Sequence, residues 1–339
     1  MSAISADFAV FGTSLTALLV AGLLSRQHRK TVLLVEGDGP LPGLARNIDI
    51  SIGPITRPES WALLGEAVPE TRRLLSRIVR RTGIERFDPI LFAESPAGRD
   101  ALAHIRHIAT GFGHSAERLP PTALGRDLDG FALRDAVQLQ AGRIEPALRR
   151  WLEHGKVQRV KAGDIGEATH VLADDAAILA HAGPLAPILN RAGRTGILTE
   201  PAPLLAAPVM LQVDAGLCLS QLPSRSIVAT GPGDLEAVAP QIDALLGATP
   251  RPRWIGQSHY IVLESLDHAP VVGRLPENGP IVLAGLAPFG AFLAPAIARW
   301  LAGMAYPAEA AWFAAHAPDR ALTSSSVAEY GPRTAGIAA

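Results

Sequence analysis

The sequence contains a single cysteine, Cys218, among 339 residues. A lone thiol forms neither an intrachain disulfide nor a thiolate metal cluster, so disulfide-stapled secreted scaffolds and cysteine-ligated metal domains are excluded. A reducing, cytoplasmic setting is the expectation. An excess of either charge sign is also missing. Thirty-one Lys+Arg against 32 Asp+Glu leave a formal net charge of −1, without the basic surplus of a nucleic-acid binder. A membrane-length apolar run is the third absence. Phe8–Leu24 (FAVFGTSLTALLVAGLL) is about seventeen residues, interrupted by Gly12, Thr13, Ser14 and Thr16, and falls short of a span. Asp7 precedes it and the basic residues follow it, the reverse of a secretory signal, so no targeting segment and no membrane span are expected. GTSLT lacks the second glycine of a G-x-S-x-G nucleophile elbow, and no G-x-x-x-x-G-K-[ST] phosphate loop occurs. There is no internal repeat or low-complexity linker.

What is present is apolar substance. The AVILMFWYC set makes up 48% of the chain and charged residues 19%, enough to build a large core rather than a disordered chain. At roughly 150 residues per domain, the length fits about two domains. The first fifty residues read as a βαβ unit: strand FAVF (8–11), helix Leu15–Ser25, strand TVLLVE (31–36), then a Gly/Pro-rich loop. Pro58 to about Arg81 reads as an amphipathic helix whose arginines, Arg72 to Arg81, form a solvated face. PILFAE (89–94) reads as a strand, Arg99–Thr110 as a helix, and ALRRWLEH (147–154) as a short helix after the turn at GRIEP. Short strands are expected at KVQRV, HVLA, AAILAHAG, PVMLQV, LCLSQL and SIVATGPG, a helix at Leu235–Leu246, a strand in WIGQSHYIVLES, a buried strand IVLAG (281–285) and a helix Phe292–Leu301. Residues 321–339 read as a loose tail. His104 and His107 lie on a polar helix with His114 nearby; they read as surface residues, and no metal is expected.

Two segments carry chemistry. Gly12, Ser14 and Ala17 take the three positions of a G-x-G-x-x-G/A turn between strand and helix, and Glu36 ends the second strand. In such a unit the helix N-terminus, at Leu15, faces a pyrophosphate and the acidic residue accepts hydrogen bonds from a ribose. A βαβ unit that binds nothing is the alternative. The second segment, IVLAGLAPFGAFLAPAIARWLAG, is a buried strand, a loop with Gly285 and Gly290, and a helix start near Ala291 and Phe292. This too offers a helix N-terminus among small residues to a ligand's electronegative edge. A packing helix is the alternative.

The ordered set of pieces resembles the FAD-dependent D-amino-acid-oxidase-like family, which includes glycine, sarcosine and D-amino-acid oxidases and dehydrogenases. FGTSLTALLVAGLL with TVLLVE is similar to the family's ADP-binding start, and GLARN (43–47) to its loop with an Arg-Asn pair, here Arg46 and Asn47. GRIEPALRRWLE (142–153) resembles the segment that returns the chain to the FAD domain, followed by Val157 on the next strand. ATHVLADDAAILAHAG resembles the strand ending in a small-residue turn near the flavin, and RWIG, DHAPVVG and VLAGLAPFGAFLAPAIARWLAG resemble the closing run.

The resemblance implies an α/β fold: a Rossmann-like FAD-binding domain (1–57, 141–205 and 267–320) interleaved with a mixed or antiparallel-sheet substrate domain (58–140 and 206–266). It implies an FAD-dependent enzyme that removes hydride from a carbon bearing an amine, with the flavin supplying the chemistry and the protein orientation and electrostatics. No cysteine lies near the closing loop, so the FAD is expected to be non-covalent. The implied cofactor contacts are Gly12, Ser14, Leu15, Ala17, Glu36, Arg46, Asn47, Val157, Gly285, Gly290, Ala291 and Phe292. Family members hold a substrate carboxylate with an Arg, often helped by a Tyr. Arg253 and Tyr260 sit in the matching stretch, with His259 beside them; the alternative for each is a sheet residue on a solvent face.

Several features depart from the family. Ser and Ala replace glycines in the first turn, the crossover between Val160 and Ala180 is short, and Ala287-Pro288-Phe289 replaces a glycine-rich loop. They leave open a flavin-dependent monooxygenase, a maturation enzyme, or a non-catalytic binding protein with this fold. A homo-oligomer and a subunit of a heteromeric dehydrogenase are both compatible with the sequence.

Overall fold

The structure is a computed structural model that describes residues 3–35, 49–80, 82–120, 123–124, 128–182, 187–247 and 252–321. The tail expected at 321–339 lies, from 322 onward, outside the described residues. Among the described residues the chain forms an α/β architecture on three sheets. The first has six strands: β1 (Phe8–Phe11), β2 (Val32–Val35), β9 (Gln158–Val160), β10 (Thr169–Leu172), β16 (Val271–Arg274) and β17 (Ile281–Ala284). Their order is β16-β17-β10-β1-β2-β9, parallel except for the antiparallel edge strand β16. β1, β2 and β17 are buried along their whole length, as parallel strands covered on both faces must be.

The second sheet has eight strands, β5 (Ile90–Ala93), β6 (Ala116–Arg118), β7 (Asp129–Leu133), β11 (Leu189–Pro201), β12 (Val209–Gln212), β13 (Leu217–Gln221), β14 (Ser226–Pro232) and β15 (Trp254–Ser265). It runs β15-β11-β14-β13-β12-β5-β7-β6 and is mostly antiparallel. A small third sheet joins β3 (Asp49–Ile50), β8 (Ala136–Leu139) and β4 (Ile84–Phe87). The helices are α1 (Leu15–Arg26), α2 (Pro58–Val79), α3 (Pro96–Gly111), α4 (Ala141–His154), α5 (Asp175–His181), α6 (Leu235–Leu246), α7 (Gly290–Leu301) and α8 (Pro307–Ala315). Among the described residues no helix is long and apolar enough to cross a membrane.

Helix α1 is buried on every side from Leu15 to Leu24, and its composition says why. A helix apolar all round must lie inside the core. Its small residues set the packing distance. A Cβ placed on Gly22 would come within 1.8 Å of the Trp151 ring of α4, so only glycine allows that approach. At the start of α7, a Cβ on Gly290 would stand 2.8 Å from the Thr16 hydroxyl of α1. The second contact brings the N-termini of α1 and α7 together.

The expected β1, α1 and β2 fall where the sequence pattern placed them. Several elements differ: β3, β4, β6, β7, β8, β16 and α8 had no counterpart among the expected elements. AAILAHAG, expected as a strand, is helix α5: the Asp174 carboxylate caps it by accepting from the Ala177 amide at 2.9 Å, and its alanine-rich sequence propagates the turn. ALRRWLEH belongs to a longer helix that begins at Ala141 and carries Pro146 inside it. β11 had no counterpart among the expected strands, because Arg191, Gly193, Arg194 and Gly196 interrupt its apolar pattern. It lies in the eight-stranded sheet, although its residues fall within 141–205, the segment expected to join the six-stranded one.

Candidate active site

Chain direction at the end of β1 is set by Gly12, whose φ of +138° is open to glycine and strained for other residues. A Cβ there would stand 2.7 Å from the Asp174 carboxylate. Ser14 then takes the N-cap of α1. Its hydroxyl accepts from the Ala17 amide at 3.2 Å and donates to the Ala173 carbonyl at 3.3 Å. A serine in the middle position of the fingerprint thus serves as a cap, and Ala17 packs fully buried behind it. The first-turn amides of Leu15 and Thr16 have no carbonyl one turn back within the helix.

The Asp174 carboxylate, at the end of β10, completes this corner. Its Oδ2 accepts from the Thr13 amide at 2.8 Å and from the Ser14 amide at 3.3 Å, while its Oδ1 holds the start of α5. The β1–α1 turn therefore binds an oxyanion, and the oxyanion it holds is a side chain of the same protein.

From this corner a cavity of ≈ 400 Å³ extends toward the N-terminus of α7. Ser14, Thr16 and Asp174 line one end, and Gly285, Pro288 and Gly290 a second wall. Gly285 adopts φ +67°, and the Pro288 carbonyl accepts from the Ile50 amide of β3 at 3.1 Å, which ties the loop before α7 to the small sheet.

The third wall is the eight-stranded sheet. Arg194 on β11 and Tyr260 on β15 are cross-strand partners, and both line the cavity. The Arg194 guanidinium donates to the Gly216 carbonyl at 2.8 Å and stands 3.8 Å from the Glu264 carboxylate. Its side chain is 19% exposed, so the guanidinium stands at a partly desolvated surface with Glu264 as its counter-charge. Asp49 of β3 also lines the cavity, and burial pushes its carboxyl up to about 7. Cys218, on the same wall, is held as a thiol, pushed up to about 12 by burial.

The residues singled out in the sequence fall into distinct places. Ser14, Gly285, Gly290 and Tyr260 line the cavity, and Gly12, Leu15 and Ala17 build the turn at its edge. Ala291 and Phe292 are fully buried within α7, and Val157 sits in the same core, so none of the three lines the cavity. Arg253 is 79% exposed, lies 3.5 Å from Glu200, and is not part of the cavity wall. His259 projects from the opposite face of β15 from Tyr260, as strand alternation dictates, and meets the Thr195 hydroxyl at 3.3 Å. Glu36, Arg46 and Asn47 lie outside the described residues.

Sequence reasoning passed over Arg194, Asp49, Glu264 and Asp174. Asp174 had a visible signal: an Asp-Asp pair stands where the family motif has a small-residue turn. Arg194 had none, since its strand was not recognised. Among the described residues no group of three His, Cys, Asp or Glu side chains could hold a metal ion.

No family model matches the chain, and no curated protein matches it by sequence. Solved structures match it closely in shape. L-proline dehydrogenase from P. horikoshii aligns with a TM-score of 0.75 at 14% identity, covering 94% of this chain and 98% of that one. Glycine oxidase from Geobacillus kaustophilus gives 0.72 at 16% identity, covering 94% and 100%. Iminodiacetate oxidase from Chelativorans sp. gives 0.68 at 14%, covering 88% and 95%.

Similarity over nearly whole chains at such low identity defines the class of fold rather than the chemistry. The fold is the one shared by L-proline dehydrogenase, glycine oxidase and iminodiacetate oxidase, the kind of fold that the ordered motifs implied.

Proposed function

We propose that the chain is an FAD-dependent oxidoreductase that oxidises the C–N bond of an amino acid or another amine. The observation that carries this reading is one cavity reaching from an oxyanion-binding helix N-terminus to a wall bearing Arg194 and Tyr260. The donor set at its first end suits a dinucleotide: Gly12 clears the approach, the Thr13 and Ser14 amides already hold a carboxylate, and the first turn of α1 adds Leu15 and Thr16. Gly285 and Gly290 would border the flavin end, and Glu36, Arg46 and Asn47 extend the expected contacts. Bound FAD would supply the hydride acceptor.

The chain's own residues would bind and orient the substrate. The Arg194 guanidinium can take a substrate carboxylate through paired N–H donors, with the Tyr260 hydroxyl as a neighbour. Glu264 and Asp49 offer carboxyl groups to the substrate nitrogen. Asp49, with its raised pKa, can accept a proton from an ammonium group near neutrality, which leaves the amine neutral for oxidation.

The test is the visible spectrum of purified protein reconstituted with FAD, before and after anaerobic addition of an amino-acid and amine panel. Bleaching by one member of the panel without NAD(P)H is the expected result. A flavin spectrum that never bleaches would favour the monooxygenase or maturation alternative, and a protein that cannot be loaded with FAD would remove both.

A further inference from the structure

The carboxylate of Asp174 occupies the β1–α1 turn, the place that a G-x-G-x-x-G/A fingerprint offers to a phosphate. Its Oδ2 takes the Thr13 amide at 2.8 Å and the Ser14 amide at 3.3 Å, and it packs against the bare Cα of Gly12, where a Cβ would stand 2.7 Å away. Its other oxygen is engaged by the Ala177 amide at 2.9 Å. The side chain is therefore pinned from both sides, between the N-termini of α1 and α5. Both helix ends favour negative charge, so this carboxylate is well solvated by amides where it stands. Asp175 follows it on the cavity wall.

A pyrophosphate brought to this turn meets two obstacles. Two of the amides that would meet it, those of Thr13 and Ser14, are already donating, and the group that holds them is a carboxylate. Like charges a few ångströms apart in a partly buried site repel strongly, because the local dielectric screens them less than water does.

We propose that Asp174 is a built-in competitor for the cofactor's pyrophosphate and sets the cofactor affinity of this chain. FAD binds only as the Asp174 side chain leaves the Thr13 and Ser14 amides, so the wild-type protein holds FAD loosely and is readily recovered without it. This inference rests on the FAD reading above.

The experiment is a titration of apoprotein with FAD, followed by flavin fluorescence, and in parallel with ADP, followed by calorimetry. Wild type is compared with Asp174→Ser and Asp174→Asn. Serine keeps an N-cap acceptor for α5 and removes the charge; asparagine keeps the shape. Asp234→Ser, which changes the matching cap of α6 away from the cavity, controls for loss of a capping carboxylate. Thermal melts establish that each variant is folded.

We expect both Asp174 variants to bind FAD and ADP at least ten-fold more tightly than wild type, and Asp234→Ser to leave both affinities unchanged. Equal or weaker binding by folded Asp174 variants would overturn the competitor role while leaving FAD binding, and with it the proposed function, intact. Failure of wild type and all folded variants to bind FAD would overturn both.

Discussion

Arg194 and Tyr260 face each other across the β11–β15 ladder and share one wall of the cavity, whereas Arg253, in the sequence stretch that resembles the family's substrate-binding segment, lies outside it. The consequence is a prediction about which arginine recognises a carboxylate. Loss of a charged hydrogen bond costs about 1.5–3 kcal/mol, or roughly ten-fold and more in affinity. Arg194→Leu should therefore raise KM for a carboxylated substrate at least about ten-fold, and Arg253→Leu should leave it near wild type. Steady-state kinetics on the two variants separate them; a larger effect in Arg253→Leu would move the site.

Asp49 titrates in the opposite sense to a paired carboxylate. Burial raises its folded pKa to about 7 from the reference 3.8, so the folded state holds a proton that the unfolded state has released. Stability against this group is full below pH 4 and declines as the pH rises toward 7. Asp49→Asn should consequently gain stability over wild type as the pH climbs from 4 to 8, by on the order of 1 kcal/mol or more at the upper end. Urea unfolding at both pH values is the measurement. A pH-independent difference would show that the carboxyl is not strained by burial.

Asp267 is the reverse case. Burial pushes its carboxyl up, but hydrogen bonds from Arg320 and Ser265 outweigh that and hold it down at about 2. Its Oδ1 lies 2.6 Å from Arg320 and its Oδ2 3.3 Å from Arg57, all three side chains being largely buried. The stabilisation is complete above the unfolded pKa of 3.8 and is lost as the pH falls from there toward 2. Asp267→Asn leaves two guanidinium groups without their counter-charge and should destabilise by about 3–5 kcal/mol at pH 7. The gap to wild type should narrow as the pH falls toward 2, and a constant gap would argue for lost packing instead.

Gly22 is a packing glycine rather than a turn glycine. The Trp151 ring would lie within 1.8 Å of a Cβ placed there, too close for any rotamer adjustment of an alanine methyl. Gly22→Ala should cost roughly 1–3 kcal/mol by overpacking, despite alanine's better helix propensity. A denaturation midpoint at or above wild type would mean that Trp151 swings out to solvent.

The frame is legible in the apolar pattern alone. Apolar runs of strand length, a glycine at the first turn and an all-apolar helix force β1, α1 and β2, since such segments have no way to stay hydrated. Ser14, Gly285 and Gly290, which the motifs singled out, line one ligand-sized cavity, because each belongs to a local turn whose geometry is short-range. The rest of the site depends on which strands become neighbours. Arg194 reaches the cavity because β11 pairs with β15, a contact between residues far apart in sequence, and strand alternation then turns Tyr260 inward and His259 outward. Asp49 acquires its raised pKa from burial, which no local pattern encodes. Asp174 becomes an occupant of the β1–α1 turn because β10 lies beside β1 in register, setting a carboxylate from one strand on the amides that follow another.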